Sequence, residues 1–123
     1  MFEVAERGVV FDATQQPPDS RIAYFTSLCL LQSGTILCGY QNGPIKHAAT
    51  SRIGLSRSLD YGRTWESIPT RFESMIKGVP GSLGCGEMTE VHPGKLILVT
   101  TWFDRTDPNR PLFDPVTEGI LKT

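Results

Sequence analysis

Charged side chains that could contact a ligand lie in a polar stretch near the end of the sequence. Asp104 and Arg105 open a loop over residues 104–117, which three prolines stiffen. A carboxylate beside a guanidinium suits a polar ligand because both form charge-assisted hydrogen bonds, and loops of this length often carry binding sites. An exposed Asp–Arg pair is also common on a solvated surface. We therefore take Asp104 and Arg105 as candidate ligand contacts, with the solvated surface as the alternative.

The three cysteines, Cys29, Cys38 and Cys85, lack the CxxC or Cys/His spacing of a zinc site. Each lies in or beside an apolar stretch, and an odd count argues against a disulfide framework. Free cysteine in such surroundings is commonly a small buried hydrophobe. The sequence therefore predicts three core thiols, no metal and no cofactor.

A second constellation reads S-x-D-x-G-x-T-W, with Ser58, Asp60, Gly62, Thr64 and Trp65 at the named positions. A short acid can accept hydrogen bonds from neighbouring backbone N–H groups and brace a tight turn. Glycine adopts a positive φ without steric cost. The threonine and tryptophan are expected to start the outgoing strand, with the indole covering the apolar side of the hairpin. The spacing therefore predicts a self-braced turn between two strands.

The composition predicts one small domain, because the chain has 123 residues, 39% of them hydrophobic. The charges nearly cancel, with 12 basic and 13 acidic residues, which argues against a nucleic-acid partner. No apolar run approaches the ~20 residues that span a bilayer, and the first residues carry acids where a signal peptide needs bases. The sequence does not indicate a cellular compartment.

Short apolar runs, rich in β-branched and aromatic residues and separated by glycine or proline, predict an all-β chain. The predicted strands cover residues 8–12, 22–31, 35–40, 52–58, 64–68, 86–91 and 95–103. Two of the predicted hairpin turns, at Gly34 and Gly94, lie 60 positions apart within similar flanking residues. A strand meander that repeats with this period is typical of a propeller or a related array.

The S-x-D-x-G-x-T-W motif resembles the Asp-box of the sialidase-like β-propellers, also called the bacterial neuraminidase (BNR) repeat. The resemblance implies about one and a half blades of a six-bladed propeller made of antiparallel four-stranded meanders. It implies a single partial domain with an N-terminal strand and linker over residues 1–20, a first blade over 21–70 and an incomplete second blade over 84–123. We expect an N-terminal fragment of a longer protein, whose open edges need the remaining blades or self-association for cover.

The resemblance also suggests ligand residues. Sialidases bind the substrate carboxylate with three arginines, and the first lies in an Arg-Ile-Pro motif that Arg21 and Ile22 match, with Ala23 in place of the proline. Glu87 is expected at the start of an inner strand, where ligand groups gather in propellers. The family's acid/base aspartate is expected in residues 41–51, but that loop carries no Asp or Glu, and Lys46 and His47 are its ionisable side chains.

Two functions stay open. The first is a sialidase-like glycoside hydrolase lineage that acts on or binds carbohydrate, with this chain inactive alone. The second is a non-catalytic propeller that binds carbohydrate or protein. In either, the Asp-box residues are expected to be structural, since the family has this motif away from the ligand.

Overall fold

The computed structural model describes residues 3, 4 and 6–120, and its regular structure is almost entirely β. Two single 3-10 turns, Ala13–Gln15 and Pro18–Ser20, precede the strands. The strands are β1 Ile22–Leu30, β2 Ile36–Gly43, β3 Arg52–Ser58, β4 Glu66–Ile68, β5 Gly81–His92 and β6 Lys95–Asp104. No helix among these residues is long and apolar enough to cross a membrane.

The first sheet is a four-stranded antiparallel meander in the order β1-β2-β3-β4. This confirms the predicted all-β class and the four consecutive strands of the first unit. The last strand begins at Glu66 rather than at Thr64, because the Thr64 backbone N–H bonds to the Asp60 carboxylate, 2.9 Å away, instead of joining the sheet ladder.

The second sheet is the hairpin β5–β6, and its first strand starts five residues before the predicted residue 86. The glycines of this segment allow close packing within the hairpin. A Cβ at Gly81 would lie 1.9 Å from Nε1 of Trp102, and one at Gly86 would lie 2.2 Å from the Val99 carbonyl oxygen. Glycine in a strand commonly marks such a close approach.

The two hairpins share one backbone pattern. Tyr24 pairs with Gln41, and Gly84 pairs with Thr101, each 60 positions later. Both ladders then shift register by one residue, between Tyr24 and Ser27 in β1 and between Cys85 and Met88 in β5. The turn glycines, Gly34 and Gly94, both have positive φ, at 86° and 74°. The predicted equivalence of the two turns, in separate antiparallel sheets, is therefore confirmed.

The core lies between the sheets, where Cys29, Leu37 and Met88 form one buried cluster. Cys38 is also buried and Cys85 is half-buried, and all three cysteines are free thiols, as expected. Burial raises the pKa of both the Cys38 and Cys85 thiols. The neutral thiols therefore behave as packing groups.

β1 and β5 run side by side in the same direction. The Met88 amide donates to the Ser27 hydroxyl oxygen (3.2 Å), and the Gln32 amide donates to the Glu90 carboxylate (2.7 Å). We call the end at which both strands begin the Arg105 end, because Arg105 follows β6 there. The opposite end carries the turn between β3 and β4, and we call it the Asp-box end.

The strand predicted over residues 8–12 does not form. At the end of this segment, the Asp12 side chain accepts a hydrogen bond from the Thr14 amide and caps the 3-10 turn that follows. This segment packs on the first sheet instead, with the Phe11 ring 5.3 Å from that of Tyr40. The resemblance also implies that residues 118–123 start the third strand of the second blade. Of these residues, Ile120 forms an isolated bridge with Phe113, and residues 121–123 lie outside the described part.

The shared register makes Gly86 a test of the hairpin geometry. We expect Gly86→Ala to lower the free energy of unfolding by about 1–3 kcal/mol, because the new Cβ meets a backbone oxygen that cannot rotate away. Gly119→Ala is the matched control, since a Cβ there would lie 3.4 Å from Oγ1 of Thr117, and we expect a change within about 0.5 kcal/mol. Urea unfolding measures both, and equal stabilities would contradict the geometry.

Candidate functional site

The Asp-box turn is closed by its own hydrogen bonds. The Ser58 hydroxyl, only 1% exposed, donates to Oδ1 of Asp60 (2.8 Å) and accepts from the Gly62 amide (2.8 Å). The Asp60 carboxylate also accepts from the Thr64 hydroxyl (2.6 Å), and the Trp65 indole donates to the Gly62 carbonyl (2.9 Å). Every polar group of the motif is therefore engaged within the turn, as the sequence pattern predicts.

These bonds lower the pKa of Asp60 to about 2, first through the Thr64 hydroxyl and amide and then through Ser58. The backbone is left-handed at Tyr61 (φ 61°) and at Gly62 (φ 89°). The turn lies at the Asp-box end, remote from Arg105. Its geometry is that of a structural brace, because both carboxylate oxygens of Asp60 accept hydrogen bonds within the turn.

Arg105 is the central residue of the opposite end. It is 6% exposed, and its guanidinium donates to the Ser82 hydroxyl (2.8 Å) and to the carbonyl oxygens of His47 (2.9 Å) and Arg110 (3.4 Å). Burial lowers its pKa, an effect that the nearby Tyr24 hydroxyl partly offsets. Arg105 therefore ties β5, the β2–β3 loop and the loop after β6 together through neutral acceptors. It is buried rather than solvated, and its contact with a ligand stays a prediction.

Tyr24 and His47 extend this network. The His47 amide donates to the Tyr24 hydroxyl (2.5 Å), which also lies 3.4 Å from the Ser51 hydroxyl. Burial and then the positive charges of Lys46 and Arg105 lower the pKa of His47 below its ordinary value. Sequence reasoning did not single out Tyr24. The repeat offers a signal, however, because the register-equivalent residue in β5 is a glycine.

An open cleft of about 700 Å³ lies beside Arg105, between the end of β6 and the loop that follows it. Its lining residues are Trp102, Phe103, Asp104, Arg105, Thr106, Asp107, Arg110, Pro111, Leu112 and Ile120. The structure therefore places both candidate residues of the Asp–Arg pair in one concave site. Clefts of this volume are typical of small-molecule sites.

The carboxylates of this loop are used to fold it. Asp104 accepts a hydrogen bond from the Thr106 amide (2.7 Å), and its hydrogen bonding with Thr106 lowers its pKa. Asp107 accepts a hydrogen bond from the Asn109 amide (3.0 Å). Further along the same loop, Asp114 accepts a hydrogen bond from the Thr117 amide (2.8 Å). Each is a local turn in which the side chain replaces a backbone acceptor. The loop is thus stiffened by its acids as well as by its prolines.

The two remaining candidates are not gathered into the cleft. Arg21 is exposed immediately before β1 at the Arg105 end, and its side chain forms no hydrogen bond or ion pair with the described residues. Glu87 lies at the register shift in β5 rather than at a strand start, exposed, with one long contact (3.4 Å) from the Ser27 hydroxyl. The predicted strand-start position of Glu87 is therefore wrong, while Arg21 remains accessible to a ligand.

Within the described residues, no group of three or more His, Cys, Asp or Glu side chains is placed to hold a metal ion. Comparison with protein-family models, curated proteins and solved structures gives no match to this chain. The chemistry of the site must therefore be argued from its own residues.

The low pKa of Asp60 makes its contribution to stability pH-dependent. Because the folded pKa of about 2 lies below the ordinary value of 3.8, the ionised side chain stabilises the fold above about pH 4, and this stabilisation is lost as the pH falls through 2. We expect Asp60→Asn to melt below the parent chain at neutral pH and to approach it near pH 2.

Thermal melts between about pH 2 and pH 7 measure this difference. Thr64→Val, which removes the hydroxyl donor to Asp60, is the companion variant, and its melting deficit is expected to shrink over the same acidic range. A deficit for Asp60→Asn that stays constant across the range would contradict the assignment.

Proposed function

We propose that this chain forms two consecutive sheets of a sialidase-like β-propeller that acts on or binds carbohydrate. The observation that carries the proposal is the combination of a completely hydrogen-bonded Asp-box turn with a hairpin register that recurs 60 residues later, including its irregularity. Repetition of one backbone unit with side-by-side first strands is what a propeller requires.

The proposed ligand site is the Arg105 end. The cleft, the accessible Arg21 and the loops after β2 and β6 all lie there, whereas the Asp-box is at the other end. An exposed arginine with no partner in the described chain suits a carboxylate, because its planar group forms two parallel hydrogen bonds with one. Arg21 is therefore the proposed first contact with an acidic sugar.

The alternative is a non-catalytic propeller that binds carbohydrate or protein. It is favoured by residues 41–51, which carry no carboxylate, and by Asp104, whose oxygen is held by the Thr106 amide. Exposed apolar side chains on β1 and β6, including Leu28, Ile97 and Val99, support cover by further sheets or by a second copy.

Binding to Arg21 is directly testable. We expect the chain to bind the methyl glycoside of N-acetylneuraminic acid, and Arg21→Ala to weaken this affinity about tenfold through loss of a charge-assisted pair. Arg63→Ala is the matched control, because Arg63 is an exposed arginine at the Asp-box end, paired with Glu6 (3.0 Å). NMR titration measures both affinities. The absence of saturable binding by the folded chain would refute the carbohydrate proposal.

Hydrolysis by this chain is not expected. Glycoside cleavage needs an acid, a nucleophile and a carboxylate contact within reach of one sugar, and the expected acid loop over residues 41–51 has no carboxylate. We expect no release of a fluorescent leaving group from a sialic-acid glycoside above background. Turnover that disappears in Arg21→Ala would overturn this expectation.

A further inference from the structure

Three aromatic rings form a contiguous cluster at the Arg105 end, in which the His47 ring is tilted by 40° to Phe25 and meets Phe113 edge-on at 64°. The His47 ring lies 5.7 Å from the Phe25 ring and 5.4 Å from the Phe113 ring, measured between centroids. Phe25 is 51% exposed and Phe113 is 43% exposed. We call Phe25, His47 and Phe113 the aromatic platform. Its members come from β1, the β2–β3 loop and the loop after β6, so only the folded chain assembles it.

The backbone beneath two of these rings is in an unusual conformation. Phe25 has φ 51° and His47 has φ 59°, in the left-handed region that bulky residues seldom occupy. The register shift of β1 does not by itself require this conformation, because β5 makes the same shift with no positive φ between Cys85 and Met88. Strained backbone of this kind concentrates at ligand sites.

The network around Arg105 fixes the middle ring. The His47 amide bonds to Tyr24 and its carbonyl accepts from Arg105, so both backbone groups of this strained residue are held. The Tyr24 ring also packs against Phe25 at 5.1 Å. The platform is therefore preorganised by partly buried hydrogen bonds, while Phe25 and Phe113 are exposed and His47 is half-buried. Preorganisation reduces the entropic cost of binding.

The charge beside the platform is positive. The Lys46 ammonium lies 5.4 Å from the centroid of Phe25, and Arg105 lies behind His47. Asp114, next to Phe113 in the chain, has its carboxylate engaged by the Val116 and Thr117 amides. A ligand that contacts the exposed rings therefore meets a cation that lies over the Phe25 ring, which suits an anionic substituent.

We propose that the aromatic platform stacks against the apolar face of a pyranose ring, whose carboxylate or sulfate group lies against Lys46. The proposal rests on the carbohydrate-binding function proposed above and names a stacking surface and a charge contact within it. Aromatic rings combine a large apolar surface with an electron-rich face, which suits the polarised C–H groups on one face of a sugar ring. Arg21 is not part of this surface, so the two contacts are separable.

The test is a titration of the chain, followed by the NMR signals of the Phe25, His47 and Phe113 rings. The probes are methyl glucoside, methyl glucuronide, methyl glucoside 6-sulfate and the methyl glycoside of N-acetylneuraminic acid. We expect the acidic probes to bind more tightly than the neutral glucoside and to shift the platform signals. Comparison of glucuronide with the sulfate identifies which anion Lys46 favours.

Three variants separate the contributions. We expect Phe113→Leu to weaken binding of the preferred acidic probe about fivefold, and Lys46→Gln to remove the preference for acidic over neutral probes. Phe72→Leu is the matched control because Phe72 is 44% exposed and lines a different cleft, and its affinity should equal that of the parent. Thermal melts establish that each variant is folded.

The outcomes distinguish the two proposals. If the parent chain binds an acidic sugar and Arg21→Ala weakens binding while Phe113→Leu behaves like Phe72→Leu, the platform is refuted and the carbohydrate site stands. Binding that shifts no platform ring signal refutes the platform in the same way. If the folded parent binds none of the four glycosides, the carbohydrate function itself is refuted, and the platform with it.

Discussion

The buried guanidinium of Arg105 is the interaction on which the candidate site depends. It donates to a hydroxyl on β5, to the carbonyl of His47 in the β2–β3 loop and to a carbonyl in its own loop. Three segments, two of which are distant from Arg105 in sequence, thus share one largely buried cation. Hydrogen bonds from a charged group gain strength in such a setting, and leaving the charge without them is costly. The position of His47, and with it the aromatic platform, follows from this contact.

The two ends of the sheets solve different physical problems. At the Asp-box end, Ser58, Asp60 and Thr64 close a turn by bonds between residues two to four positions apart. At the Arg105 end, the bonds join residues from different sheets, and the surface carries exposed rings and cations. The two hairpins share a backbone register, whereas some side chains of the candidate site differ between them. Tyr24 is an example, since a glycine occupies the equivalent place in β5.

Three parts of the fold differ from the sequence prediction, each for its own physical reason. β5 begins at Gly81 rather than at the predicted residue 86, and Gly81 leaves room for the Trp102 ring. Residues 8–12 have a strand-like composition, but Asp12 caps a turn and the segment packs as an extended chain on the first sheet. The charged pair at residues 104 and 105 lies in one cleft, yet its members differ, since Asp104 braces the loop and Arg105 is buried.

The sequence by itself determined the all-β class, the meander of the first sheet, the equivalent hairpin turns and the self-braced Asp-box. These features depend on alternation, turn residues and bonds between near neighbours, which are all visible as local pattern. Only the tertiary structure decided that Arg105 is buried, that Tyr24 holds His47 and that Phe25, His47 and Phe113 form one surface. The reason is that these contacts join residues from different elements, as the bond between Arg105 and His47 does across 58 positions, and no local pattern encodes them.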